Sequence, residues 1–163
     1  MANPANREAV LTEHAADPAI AGLLAWKREA VADAIWDRNE LTLTIVPEDI
    51  RAAAKVVQIA GYNFLEDVTA VDWYPVEPRF QISYHIVSHG MKKRIRLRAF
   101  VASDDPVIDS ITPVWPSANF YEREVFDLFG VRFAGHPNLR RIMMPDEWEG
   151  HPLRKDYPVE GYR

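Results

Sequence analysis

The chain has 163 residues, 19 basic against 24 acidic for a net charge of -5, with 48% hydrophobic and 26% charged residues. That composition excludes a disordered or collagen-like chain, and the length suits one domain of roughly 100–200 residues with a core of its own. The sequence holds no cysteine, which excludes a disulfide scaffold, a thiolate-held iron–sulfur cluster or zinc, and a cysteine nucleophile; any redox cofactor must then belong to a partner.

Residues 1–16 show no clear period, and residues 1–17 are expected to form a flexible N-terminal lead. Met1 to Asp17 has no basic start followed by an apolar stretch, so it does not read as a secretory signal. No apolar run approaches the roughly 18 residues of a membrane span. The bare chain is therefore expected to be soluble and cytoplasmic, with any membrane association made through partners.

Asp17-Pro18 reads as a helix N-cap followed by proline at the first helical position, and the helix runs from about Pro18 to Lys27. Residues 29–36 fit a helix continuing from Leu24 and also a strand; with Asp37-Arg38-Asn39-Glu40 as a turn and Leu41, Leu43 and Ile45 alternating after it, a hairpin is favoured. Pro47-Glu48-Asp49 opens a helix whose apolar face is Ile50, Ala53, Ala54 and Val57, with Gly61 as its stop.

Three strands follow: Phe64 to Trp73, Phe80 to Val87 and Lys93 to Val101. Phe80, Ile82, Tyr84 and Ile86 share a face; Ile95, Leu97 and Ala99 point to the core, and Arg94, Arg96 and Arg98 to the opposite side. Asp104 to Trp115 is a connection. A helix from near Pro116-Ser117 to Gly130 carries Tyr121, Val125 and Leu128 on one face. From Val131 the periodicity stops, yet Phe133, Leu139, Ile142, Met143, Met144, Trp148, Leu153 and Tyr157 remain. A tail this apolar requires a surface to lie on, its own domain or a partner's. The expected class is α+β: a single mixed β-sheet with helices packed on one side and an extended C-terminal tail. The divisions are a lead over 1–17, a core domain over 18–130 and a partner-binding tail over 131–163.

Charge is unevenly spread: residues 79–100 hold six basic residues and no acid, while residues 1–78 hold 13 acids against 6 bases. One basic strand on an acidic chain suits protein docking better than nucleic-acid binding, and the stacking aromatics of an RNA-binding sheet are missing beside Arg94, Arg96 and Arg98. There is no G-x-G-x-x-G, no P-loop and no arguable serine triad. Arg123 and Asp127, at i and i+4, read as a pair on a solvated helix face; Glu122 and Glu124 diverge, a poor acid/base couple. His136 and His151, in two Gly-His-Pro turns, suit turn or capping hydrogen bonds better than a metal site, and His85 and His89 read as structural. Arg140-Arg141 and Arg154-Lys155, among Asp146, Glu147, Glu149 and Asp156, suggest ion pairs with a protein partner.

Three stretches together resemble one family: Glu-Arg-Glu-x-x-Asp-Leu-Phe-Gly (Glu122 to Gly130), Gly-His-Pro-Asn-Leu-Arg-Arg-Ile (Gly135 to Ile142) and Asp-Glu-Trp-Glu-Gly-His-Pro-Leu-Arg-Lys-Asp-Tyr (Asp146 to Tyr157). They look like the C-subunit family of respiratory complex I, the bacterial NADH:quinone oxidoreductase, with Asn138 standing where many relatives have Asp. The resemblance implies a cofactor-free structural subunit of the peripheral arm, in the form not fused to the neighbouring D subunit, at the cytoplasmic face of the inner membrane. It implies packing on the D subunit, which helps form the quinone site, near the B and I subunits. The iron–sulfur clusters, FMN and quinone would be held by partners, with no direct membrane or nucleic-acid contact by this chain. The parent complex moves electrons from NADH to quinone and pumps protons; relatives accept electrons from ferredoxin or a reduced deazaflavin, or form a membrane hydrogenase. The other alternative is a stand-alone soluble enzyme. By resemblance, Glu122, Arg123, Glu124, Asp127, His136, Arg140, Arg141, Arg154, Lys155 and Asp156 are interface or structural residues, none catalytic. Losing Arg123 is expected to leave a buried acid unpaired.

Overall fold

The computed structural model describes residues 4–160. Contrary to the expected loose lead, helix α1 spans Pro4–Glu13. Its only large apolar pair, Val10 and Leu11, is 7% and 2% exposed. Arg7 pins the helix by donating from Nε to the Val31 carbonyl at 2.8 Å. Two adjacent apolar residues have no helical period, so tertiary capture rather than pattern makes this element. Residues 1–3 of the expected lead lie outside the described residues.

Helix α2 (Pro18–Lys27) starts as expected, with the Asp17 carboxylate accepting the Ala19 amide at 3.0 Å. The ambiguous stretch is a strand: β1 (Val31–Asp37) turns into β2 (Glu40–Ile45) through Arg38 and Asn39, both at positive φ. A two-residue turn of that kind matches the right-handed twist of the hairpin. A short 3-10 turn, Pro47–Asp49, leads into α3 (Ile50–Ile59), which buries Ile50, Ala53, Ala54 and Val57.

Strands β3 (Phe64–Asp72), β4 (Phe80–Ser88) and β5 (Lys93–Val101) form an antiparallel meander. The sheet order is β1-β2-β5-β4-β3, and β2 runs parallel to β5, with Leu43 beside Leu97. The sheet is therefore mixed. Phe80, Ile82, Ile86, Ile95, Leu97 and Ala99 are completely buried and Tyr84 nearly so, beneath the helices.

The other face carries the arginine row, and acids neutralise it locally. Arg98 donates to Thr44 Oγ1 at 2.6 Å and to Asp33 at 3.3 Å. Arg96 donates to Glu40 at 3.1 Å and to His85 Nε2 at 2.9 Å, while His85 Nδ1 meets Asp67 at 2.6 Å. Arg94 reaches Glu40 and Glu66 at 3.4 Å each. A basic run in the sequence is thus a mixed-sign lattice in space.

The connection after β5 holds a strand that the sequence does not show, β6 (Val107–Asp109). It pairs in parallel with β7 (Arg132–Ala134) at the start of the tail. Three residues are too few for an alternation to register. Between them lies α4 (Ala118–Phe129), packed against β3.

The expected outcome for Leu11→Ala is a loss of about 2–4 kcal/mol in urea unfolding of the full chain, as for other buried leucines. An unchanged midpoint would show that α1 is the loose lead that the sequence suggests.

Candidate functional site

The motif residues gather where the tail crosses the C-terminal end of α4. Asp127 lies in the last turn of that helix and is completely buried. Its Oδ2 accepts the amides of Ile142, Met143 and Met144 at 2.9, 2.7 and 2.9 Å. Its Oδ1 accepts Arg141 Nη1 at 2.6 Å. Burial alone would raise the Asp127 carboxyl; these amides and Arg141 outweigh it and hold the group below its ordinary value. Arg141 Nη2 also donates to the carbonyls of Trp148 and Gly150, at 2.8 and 3.1 Å.

The helix end is closed by the same tail. Gly130 terminates α4 at φ 74. The carbonyls of Asp127, Leu128 and Phe129 accept His151 Nδ1 at 2.8 Å, the Leu153 amide at 3.0 Å and Arg154 Nε at 2.6 Å. His151 therefore carries its proton on Nδ1, and burial lowers its pKa. A Cβ at Gly130 would stand 2.6 Å from both His151 and Arg154.

A second fastening ties the tail to the sheet. Arg79, 6% exposed, makes paired hydrogen bonds to Asp72 at 2.7 and 2.8 Å and to Asp156 at 2.6 and 2.9 Å. The Lys155 amide donates to Asp72 Oδ2, which also accepts Arg79 Nη2, at 2.8 Å. The Arg79 guanidinium lies over Tyr74 and Phe80, each 4.9 Å from the ring centre. Burial pushes Asp72 up, but Arg79 and the Lys155 and Tyr74 amides hold it at about 2. Arg79 also lowers Asp156.

The sequence-derived residues thus divide. Asp127, Arg141, Arg154 and Asp156 come together, and Lys155 takes part through its amide. Arg123 does not pair with Asp127; it donates to the carbonyls of Arg140 and Arg141 at 3.2 and 3.1 Å. Its loss therefore leaves two carbonyls, not a buried acid, without their donor. Asp127 is completely buried rather than on a solvated face, and Glu122 is completely buried too, accepting Ser110 Oγ at 2.6 Å and the Ile111 amide at 2.7 Å. His136 makes turn bonds, from Nε2 to the Asn119 carbonyl at 3.2 Å and to Nδ1 from the Asn138 amide at 3.0 Å. Glu124 and Arg140 are exposed. The roles of Asp72, Arg79 and Ser110 escape sequence reasoning because no spacing joins them to their partners; the only signal for Arg79 is a cation just before a strand whose alternate residues are apolar.

This geometry fastens a chain segment. Among the described residues no cluster of three or more His, Asp or Glu side chains is arranged to hold a metal, and no helix is long and apolar enough to cross a membrane.

The family model described as "Respiratory-chain NADH dehydrogenase, 30 Kd subunit" matches residues 43–163. The chain belongs to this family. The C subunit of the NADH-quinone oxidoreductase of Citrifermentans bemidjiense is 48% identical over 82% of this chain and 86% of its own length. That of Geotalea uraniireducens is 47% identical over 82% and 85%. A solved structure of Nqo5, a trypsin-resistant fragment, superposes with a TM-score of 0.65 at 29% identity, over 79% of this chain and 99% of that one. A chain of the membrane-bound sulfane sulfur reductase, an archaeal respiratory membrane complex, shares the fold, with a TM-score of 0.74 at 23% identity over 86% and 84%. The family match spans both fastenings, whereas α1, α2 and β1 precede it.

Asp127→Ala removes the acceptor of four tail donors and is expected to cost about 3 kcal/mol or more, as for other broken buried pairs. Limited trypsin digestion should then cut at Arg140 and Arg141 well before the core; an unchanged pattern would show that the tail is held elsewhere. Acid is expected to act similarly. Asp72, Asp127 and Asp156 have lowered pKa values when folded. The stability they contribute is present above the ordinary carboxylate range and is lost as pH falls through the folded values. Amide exchange, corrected for intrinsic rates, should show Ile142, Met143, Met144 and Lys155 losing protection between about pH 4 and 2. Protection of all four that persists to the lower limit would contradict this.

Proposed function

We propose that this chain is a cofactor-free structural subunit of the peripheral arm of a proton-pumping NADH:quinone oxidoreductase, seated on the D subunit at the cytoplasmic face of the membrane. The B and I subunits lie nearby in this reading, and the iron–sulfur clusters, FMN and quinone belong to partner subunits. The absence of cysteine supports this assignment, since the chain itself offers no thiolate for a cluster. Family membership supports the parent enzyme.

One observation carries the docking role. Asp127, Arg141, His151, Arg154 and Asp156 are engaged inside the chain, and the segments they hold leave large apolar side chains outside. Phe120, Ile142, Met143, Trp148 and Leu153 are 62, 38, 62, 39 and 51% exposed. A tail held rigidly by internal bonds, with apolar side chains outward, loses little conformational entropy on docking. The polar residues then act at one remove, by fixing the surface that the partner meets. The catalysis belongs to the assembled complex, and this chain contributes register and stability to its quinone-proximal arm.

Mild-detergent recovery of the tagged chain from membranes, read by mass spectrometry, tests this. The B, D and I subunits are expected with it. Trp148→Ala combined with Met143→Asp should lower their recovery about tenfold or more, the effect of losing a central apolar anchor, with the variant's own circular dichroism unchanged. Recovery of the chain alone, monodisperse, would overturn the reading.

A further inference from the structure

The tail fastening leaves one buried group unexplained. Glu122 is 0% exposed. Its carboxyl accepts Ser110 Oγ at 2.6 Å and the Ile111 amide at 2.7 Å. Ser110 Oγ lies 2.7 Å from Thr112 Oγ1, and either hydroxyl can donate. Thr112 is half-buried, next to exposed Pro113. The Glu122 carboxyl is thus joined to the protein boundary by two hydroxyls in a row. A hydroxyl both donates and accepts, so such a row has two self-consistent directions.

We propose that Glu122 is a proton-binding site, linked to solvent through Ser110 and Thr112, whose occupancy sets the direction of this hydroxyl chain and thereby the hold of the Ser110 turn on α4. With Glu122 ionised, Ser110 donates to the carboxylate and Thr112 donates to Ser110. With Glu122 protonated, the carboxylic acid donates to Ser110 and Ser110 donates to Thr112. Outward transfer moves the Glu122 proton to Ser110 Oγ as the Ser110 proton passes to Thr112 and the Thr112 proton passes to a water molecule. Each hydroxyl ends with one proton, the water becomes hydronium, and the carboxyl becomes carboxylate.

The surroundings permit both states. His136 Nε2 is 4.0 Å from Glu122, with both side chains fully buried. His136 accepts the Asn138 amide at Nδ1, so it is neutral there and supplies no compensating cation. Arg51 of α3 acts on Glu122 from a distance; it donates to the Ser110 and Ala134 carbonyls at 2.8 and 2.7 Å and pairs with Asp109 at 3.3 Å. The Tyr84 hydroxyl of β4, buried without a hydrogen-bond partner among the described residues, lies within electrostatic reach of Glu122 and Asp109. Burial therefore dominates, and it lifts Glu122 to about 7 against the weaker pull of Ser110, Ile111 and Arg51.

Proton binding here reaches the tail. The Ser110 amide donates to the Ala134 carbonyl at 2.9 Å, so the turn whose hold on α4 changes with protonation also adjoins the pairing of β6 with β7. Because the folded value is raised, the stability that protonated Glu122 contributes is present at low pH and lost as pH rises through about 7. None of this depends on which partner covers the tail.

Infrared difference spectroscopy of the full chain, titrated between about pH 5 and 9, tests the proposal. The expected result is a protonated-carboxyl carbonyl band that disappears near neutrality and shifts when glutamate, but not aspartate, is isotope-labelled. Glu122→Gln should abolish it. Thr112→Val, at the boundary, should keep the band's midpoint but slow its disappearance after a pH jump. A Glu122 ionised throughout this range, shown by the absence of any such band from the wild-type chain, would overturn the proposal. So would a band that survives in Glu122→Gln, or a Thr112→Val that exchanges its proton as fast as wild type. If Glu122→Gln fails to fold, the labelled wild-type band and Thr112→Val decide the matter alone.

Discussion

The structure of the motif region depends on a carboxylate at the wrong end of a helix. Asp127 sits in the last turn of α4, where the helix dipole presents its negative end and a buried acid is doubly unfavourable. The helix itself has no basic residue in that turn. The tail supplies what is missing: Arg141 and three amides reach the Asp127 side chain, and His151 and Arg154 reach the carbonyls. Helix end and tail are therefore one unit, since each leaves the other's polar groups unsatisfied if removed.

Much of the fold is legible because burial on one face imposes a period. The apolar rows of β4 and β5 and the Ile50–Val57 face are read directly from alternation and from i, i+3, i+4 spacing. The Asp17-Pro18 start has a local cause and is equally visible. What lacks a period is not. Helix α1 is made by two side chains seated on a neighbour, and β6 and β7 exist only because their partners lie 25 residues away. Residues 29–36 stay ambiguous in the sequence because β1 is a strand through its pairing with β2 across the turn, and a window over β1 alone fits either period.

The motif is legible as a family signature, while the role of each charge is not. Helical spacing joins Arg123 to Asp127 and puts the pair on a solvated face, since spacing describes the helix alone. In the folded chain Arg123 turns to the Arg140 and Arg141 carbonyls, Asp127 takes Arg141, and Glu122 points inward. Asp156 gains its meaning from Arg79, 77 residues earlier. Long-range pairs of this kind set the local charge balance, and no window along the chain contains both members.

The parallel pairing of β2 with β5 has a consequence for the order of assembly. Leu43 meets Leu97 only after α3, β3 and β4 have been made, so the N-terminal hairpin has no neighbour in the sheet until the last long strand arrives. Closing that loop costs chain entropy before any pairing offsets it. Until β5 has been synthesised, the β2 edge has no partner in the sheet, and two strands alone are at best marginally stable. Strand β5, flanked by β2 and β4, is the piece that converts two separate fragments into one sheet.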